Sequence, residues 1–171
     1  MDACSNSLVK KLAQSVKLFC GLASDDIREF LANCRRHDVE PGAAVIVQGE
    51  NGNEMFVVVS GLLEVEHEGL DGVQHLSTLQ PGSVFGELAI LDQLPRSATV
   101  RAVEPSLLLG FERGSLVKIP LVAPKLYRNI ALILSSRLRD TNALLSVCLT
   151  APKTPAGPAA SGRQYRTRNV L

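Results

Sequence analysis

A carboxylate and a guanidinium stand nine positions apart in the middle of this chain: Glu87, within Phe85-Gly86-Glu87-Leu88-Ala89-Ile90-Leu91, and Arg96, within Pro95-Arg96-Ser97-Ala98-Thr99-Val100. Gly86 lacks a Cβ, so a ligand can approach the backbone closely there. Glu87, Leu88 and Ala89 then read as the opening of a helical turn, whose first N–H groups have no partner inside the helix and suit an anion. A carboxylate repels an anion, so Glu87 makes sense as an acceptor for a sugar hydroxyl at the other end of the same ligand. Arg96 supplies the opposite charge, and its planar fork can donate two parallel hydrogen bonds to phosphate oxygens. Ser97 adds a hydroxyl and an N–H beside it. Pro95 fixes the chain just before Arg96, which helps to aim the guanidinium. Such a set would hold a small ligand that carries both hydroxyl and phosphate.

Those two half-motifs resemble the phosphate-binding cassette of the cyclic-nucleotide-binding domain family, of the Crp/Fnr-like and protein kinase A regulatory-subunit-like kinds. The likeness runs from about Leu18 to Leu145. It includes Leu18-Phe19, Gly42, Gly49-Glu50, the run Phe56-Val57-Val58-Val59-Ser60-Gly61, and Pro81-Gly82. It implies that Glu87 holds the ribose 2′-hydroxyl and Arg96 the cyclic phosphate. Phe85, Gly86, Leu88, Ala89, Ser97 and Ala98 complete the ligand-binding set. It also implies a C-terminal helix that swings over the base as a lid, which makes Arg137 and Arg139 candidates to stack on a purine or bond its edge. Arg137 is the first choice, since Arg139 has acids nearby. The pocket wall is expected from Val84, Phe85 and Leu76.

The elements that must position these residues follow from periodicity. Residues 7–17 read as a helix, with Leu8, Leu12 and Val16 on one face. Ser24 reads as the N-cap of a second helix through about Arg36, with Asp25 and Asp26 in its first turn and Leu22, Ile27, Phe30 and Leu31 buried. Residues 37–112 read as β. Val45-Ile46-Val47 is a strand, and Gly49-Glu50-Asn51-Gly52-Asn53 a turn cluster. Met55 to Ser60 is almost wholly apolar, so both its faces should be buried. Leu63, Val65 and His67 alternate with Glu64, Glu66 and Glu68. Asp71-Gly72 turns a hairpin into Val73–Leu79. Thr99–Val103 and Leu107–Leu109 are the last strands. Arg113 to about Ile119 is a short helix, and a long one starts near Pro124 and runs to about Leu149. Its stripe Ala131, Leu134, Leu138, Thr141, Leu145 and Cys148 fits packing on the roll or on a second copy, as a homodimer.

The expected fold is therefore mainly β with flanking helices: a jelly-roll-type β-roll preceded by N-terminal helices and followed by a long C-terminal helix. The expected divisions are 1–36 as helical lead-in, 37–112 as β-roll with its cassette at 84–100, 113–149 as hinge and lid helices, and 150–171 as a disordered tail rich in Pro, Ala, Gly, Ser and Arg.

Composition removes several alternatives. The 171 residues are 46% hydrophobic and 20% charged, with a net charge of +1. That balance predicts no bulk attraction to nucleic acid or membrane. Arg163, Arg166 and Arg168 make a basic tail, which reads as solvated. No apolar run reaches the ~18 residues of a membrane span. Met1-Asp2-Ala3-Cys4 shows no secretory pattern, and Cys4, Cys20, Cys34 and Cys148 form no C-x-x-C pair, so they read as reduced thiols of a cytoplasmic protein. His37, His67 and His75 lack metal-ligand spacing and read as surface or strand-edge residues, so no metal is expected. Ser97 has no nucleophile-elbow context. The chain is thus expected to be a non-enzymatic sensor that binds cyclic AMP, or alternatively cyclic GMP, needs no cofactor, and moves its C-terminal helix in response. The hydroxyl of Ser97 leaves the base open. About 22 residues follow the long helix, too few for a DNA-reading domain. With Met1 and a complete lead-in, a free-standing sensor acting on a separate, unidentified protein partner is the expectation. The rival reading is an interaction or dimerisation scaffold that keeps the roll and binds no nucleotide.

Overall fold

The computed structural model describes residue 9 and residues 12–150, with side chains as far as 146. It contains eight strands in two antiparallel sheets: β1 (Cys34–Val39), β2 (Ala44–Ile46), β3 (Glu54–Ser60), β4 (Leu63–Gly69), β5 (Gly72–Leu79), β6 (Val84–Phe85), β7 (Thr99–Ala102) and β8 (Ser106–Glu112). One sheet has the order β1-β8-β3-β6 and the other β2-β7-β4-β5. The labelled helices are α1 (Ser24–Ala32), the single-turn α2 (Leu88–Leu91) and α3 (Ala123–Thr150), with 3-10 turns at Lys17–Phe19 and Arg113–Lys118; of the expected helix over 7–17, the described residues 9 and 12–15 are helical. This is the expected roll with flanking helices.

β3 shows why the roll has two cores. Its side chains alternate between faces, as in any strand. Met55 and Val57 point to one cluster, built with Leu18, Phe19, Ile27, Phe30, Phe111, Leu126 and Ile130 from the helices and β8. Phe56 and Val58 point to the other, between the sheets, with Leu63, Phe85, Val100 and Leu108. An apolar run with no polar alternation is what a strand covered on both sides requires. Phe30 stacks on Phe111 at 4.6 Å and meets Phe19 edge-on at 5.2 Å, a geometry worth about 0.5–1.5 kcal/mol per pair beyond area burial.

Several boundaries differ from the sequence reading. The second helix ends at Ala32 rather than near Arg36, because Cys34–Val39 pairs with Phe111–Ser106 as a strand. Its N-cap is Ala23, whose N–H donates to Asp26 Oδ2 at 2.9 Å. The same oxygen accepts from Lys125 Nζ at 2.6 Å, tying α1 to α3. The buried stripe of α3 is Leu126, Asn129, Ile130 and Ile133, with Leu134 partly buried. The expected Ala131 and Leu138 are exposed. The reason is Asn129, whose Nδ2 donates to the Leu18 and Cys20 carbonyls at 2.8 and 2.9 Å and so fixes the rotation of the helix. A polar residue at a buried position does not register in a count of apolar spacing.

The residues divide into two compact units, Met1–Arg137 and Leu138–Leu171. The first holds both sheets and both cores. The described part of the second is helical to Thr150, and its side chains from Leu138 to Ser146 are exposed. Leu8, Cys4, the Cys148 side chain and the tail from residue 151, with its three arginines, lie outside the described residues. No described helix is long and apolar enough to cross a membrane.

Candidate functional site

The chain enters the cassette on β6, which pairs with β3 at Phe56↔Phe85 and Val57↔Val84. Gly86 follows with φ +72°, a conformation that glycine adopts freely. Glu87 then serves as N-cap of α2. At four residues α2 has little macrodipole, so what it offers an anion is the direction of its first amides, Leu88 and Ala89. The Ala89 and Ile90 side chains are buried, whereas Leu88 and Leu91 are about 40% exposed. The Phe85 ring lies in the inter-sheet core, stacked on Phe56 at 5.1 Å.

Arg96 is held from every side. Its backbone N–H donates to the Glu50 carbonyl at 2.8 Å, and its own carbonyl accepts from Gly49 at 2.9 Å. Its Nη1 donates to the Gly86 carbonyl at 3.1 Å and its Nη2 to the Glu54 carbonyl at 2.7 Å. The guanidinium lies between two glycines. A Cβ on Gly52 would come within 2.5 Å of Arg96 Nε, and one on Gly86 within 2.7 Å of Nη1. Burial lowers the guanidinium pKa, while the Glu54 and Glu87 carboxylates act to raise it. Of its five N–H donors, these two carbonyls engage one each and set the plane of the fork.

Glu87 is 3% exposed. Its Oε1 accepts from Arg137 Nη1 at 2.5 Å, and Arg137 Nη2 also donates to the Val84 carbonyl. Arg137 thus bonds the acidic end of the cassette directly instead of standing free over a base. Arg139 lies in the second compact unit and is exposed. Ser97 is exposed and Ala98 buried. Of the expected wall residues, Val84 belongs to the helix-side core and Leu76 is 56% exposed, at a bulge in the β4–β5 pairing. Phe85 alone keeps to the inter-sheet side.

The structure adds residues that the sequence reading passed over. Gly52 appeared only as part of a turn. Glu54 bonds through its carbonyl to Arg96, and its Oε1 lies 3.2 Å from His37 Nε2. That pair crosses β8 at Gly110, where a Cβ would be 2.1 Å from Glu54 Oε1. His37 also meets Phe56 edge-on at 5.4 Å. His67 Nδ1 lies 3.2 Å from the Ser97 carbonyl. The strand-edge reading of these two histidines therefore missed cross-strand partners. The partners are 17 and 30 residues away, and no local pattern signals them. Among the described residues no group of three or more His, Cys, Asp or Glu could hold a metal ion.

The arrangement is one seated cation, Arg96, and one buried anion, Glu87, about a one-turn helix. Residues 36–120 match the family model described as the cyclic nucleotide-binding domain. The chain is 32% identical over 126 residues to the cyclic AMP receptor protein of Thermus thermophilus, covering 73% of this chain and 58% of that one. Over 64 residues it is 52% identical to the cAMP-dependent protein kinase regulatory subunit of Yarrowia lipolytica, covering 37% of this chain and 16% of that one. The crystal structure of Thermus thermophilus catabolite activator protein superposes with a TM-score of 0.71 at 32% identity, covering 77% of this chain and 62% of that one. The chain thus spans less than two thirds of each of these relatives.

Proposed function

The chain belongs to the cyclic nucleotide-binding domain family through residues 36–120, and on that premise we propose that it is a sensor for a 3′,5′-cyclic purine nucleotide, cyclic AMP first and cyclic GMP as the alternative. The observation that carries the proposal is the seat of Arg96: a partly buried guanidinium, oriented by two carbonyls between Gly52 and Gly86, close to the buried Glu87. In this reading Arg96 takes the cyclic phosphate with its remaining donors, aided by the Ser97 hydroxyl and N–H and the Leu88 and Ala89 amides, with Ala98 beside them. Glu87 accepts from the ribose hydroxyl. In this reading Glu87 and Arg96 hold the ligand and the site does no chemistry. The names of the relatives, a cyclic AMP receptor protein and a cAMP-dependent kinase regulatory subunit, support the choice of ligand.

The contact of Arg137 with Glu87 supplies the output. A ribose hydroxyl on Glu87 would bond the same carboxylate that Arg137 holds. Ligand binding therefore changes the energy of a residue on α3, and the helix responds by as much as the ligand prefers one arrangement. The recipient is a separate protein or a further part of a longer chain.

Thermal unfolding with and without millimolar cyclic AMP and cyclic GMP tests the proposal. Binding to the native state alone adds about 2.7 kcal/mol of stability at a hundredfold excess over Kd. Arg96→Ala should cost roughly 2–5 kcal/mol of binding, because a largely buried phosphate loses its partner. If neither nucleotide raises the midpoint of the wild-type protein, the sensor reading fails and the scaffold reading replaces it.

A further inference from the structure

Two consecutive peptides of the cassette are held by their carbonyls. The carbonyl of Arg96 accepts from the Gly49 N–H, a backbone contact that any side chain would allow. The carbonyl of Ser97 is held by a side chain, His67 on β4. In a trans peptide the N–H points opposite to its C=O. Holding the two carbonyls therefore directs the Ser97 and Ala98 N–H groups away from the turn at Gly49 and away from His67. A second set of bonds keeps His67 in place. Gln48 donates its backbone N–H to Thr99 Oγ1 at 3.0 Å. Its side chain closes a ring on Glu68, donating to the carbonyl at 3.2 Å and accepting from the N–H at 2.8 Å. The turn before β3, the end of β4 and the start of β7 are thus stitched together around the Ser97 peptide.

From this geometry we infer that His67 is a positioning residue for the anion-binding end of the cassette. The inference rests on the proposed nucleotide site. A carbonyl can only accept, so Nδ1 must carry the proton, and the neutral ring then has its lone pair on Nε2. The geometry of that one bond, Nδ1–H to the Ser97 carbonyl, is what sets the direction of the Ala98 N–H.

The test is calorimetric titration of cyclic AMP and cyclic GMP into the full chain, for wild type, His67→Leu, His67→Asn and Arg96→Ala. Loss of the Nδ1–H donor in His67→Leu should weaken binding by roughly tenfold. In His67→Asn the amide nitrogen replaces Nδ1, so affinity should return towards wild type. Thermal midpoints without ligand establish that each variant folds. If His67→Leu does not fold, His67→Ala, which also lacks the donor, takes its place. Wild-type affinity in the variant that lacks the donor overturns the inference, as does a loss in His67→Asn as large as in that variant. Absence of binding by wild type is a different result: it overturns the nucleotide site itself, and the role of His67 with it.

Discussion

Arg96 works at the residue scale through space left by others. Its guanidinium lies where Gly52 has no side chain, and a Cβ there would be 2.5 to 2.6 Å from three of its atoms. Gly52→Val should displace the guanidinium from the Glu54 and Gly86 carbonyls without altering any charge. Titration with the nucleotide that binds wild type should then show most of the loss expected for Arg96→Ala. Retention of wild-type affinity would mean that the seat is not what aims Arg96. The thiols offer a second check at this scale. Burial pushes the Cys34 thiol up to about 12, helped by the Glu54 charge, and its Sγ lies 3.4 Å from the Phe30 carbonyl. Cys20 is exposed. The thiolate is the reactive species, so a maleimide at pH 8 should modify Cys20 and spare Cys34 in the native protein, as read by peptide mass mapping. Rapid labelling of Cys34 would show that α1 and β1 are not packed as described.

At the scale of elements, α1 and α3 meet through Asp26. Its carboxylate accepts from Lys125 Nζ and from the Ala23 N–H, and these bonds lower its pKa below the ordinary carboxylate value. A depressed folded-state pKa means that the unfolded chain takes up the proton first. The stabilising contribution is present above the unfolded pKa of about 3.9 and is lost as pH falls through the lower folded value. Acid titration of the thermal midpoint should therefore show a steeper fall below about pH 4 in wild type than in Asp26→Asn. Equal slopes would place the acid sensitivity elsewhere. The element boundaries follow the same logic of competing partners. Cys34-Arg35-Arg36 has nothing in its composition against helix, yet it forms a ladder with β8, where Arg35 meets Glu112 at 2.7 Å. Pairing with a strand some 75 positions away decided a boundary that local preference could not.

At the scale of the whole molecule, Glu87 and Arg137, 50 positions apart, are joined by an ion pair. Arg137→Ala leaves a carboxylate that is 3% exposed without that partner. Truncating one member of a fully buried pair costs about 3–5 kcal/mol. Arg137 is 43% exposed on its side chain, so a loss of about 1–3 kcal/mol is expected. Hydrogen exchange gives the functional half of the prediction. Amides of residues 126–137 should change protection when nucleotide is added to wild type and should not change in Arg137→Ala, even where binding persists. A ligand-dependent change that survives the substitution would move the coupling to another contact.

The sequence by itself determined the roll, the family and the two charged anchors. Strand alternation, turn glycines and the spacing from Gly86 to Arg96 are local patterns, and local patterns survive in one dimension. It also determined that β3 is covered on both faces, since only an apolar run satisfies two cores. The tertiary structure alone decided which groups meet those anchors. Gly52 and Glu54 against Arg96, Arg137 against Glu87, His67 against Ser97 and Asn129 against the first turn are pairings between residues 30 to 111 positions apart. Each depends on a side chain crossing from one element to another. Such a contact is set by register and packing, and the chemistry of either residue alone leaves its partner open.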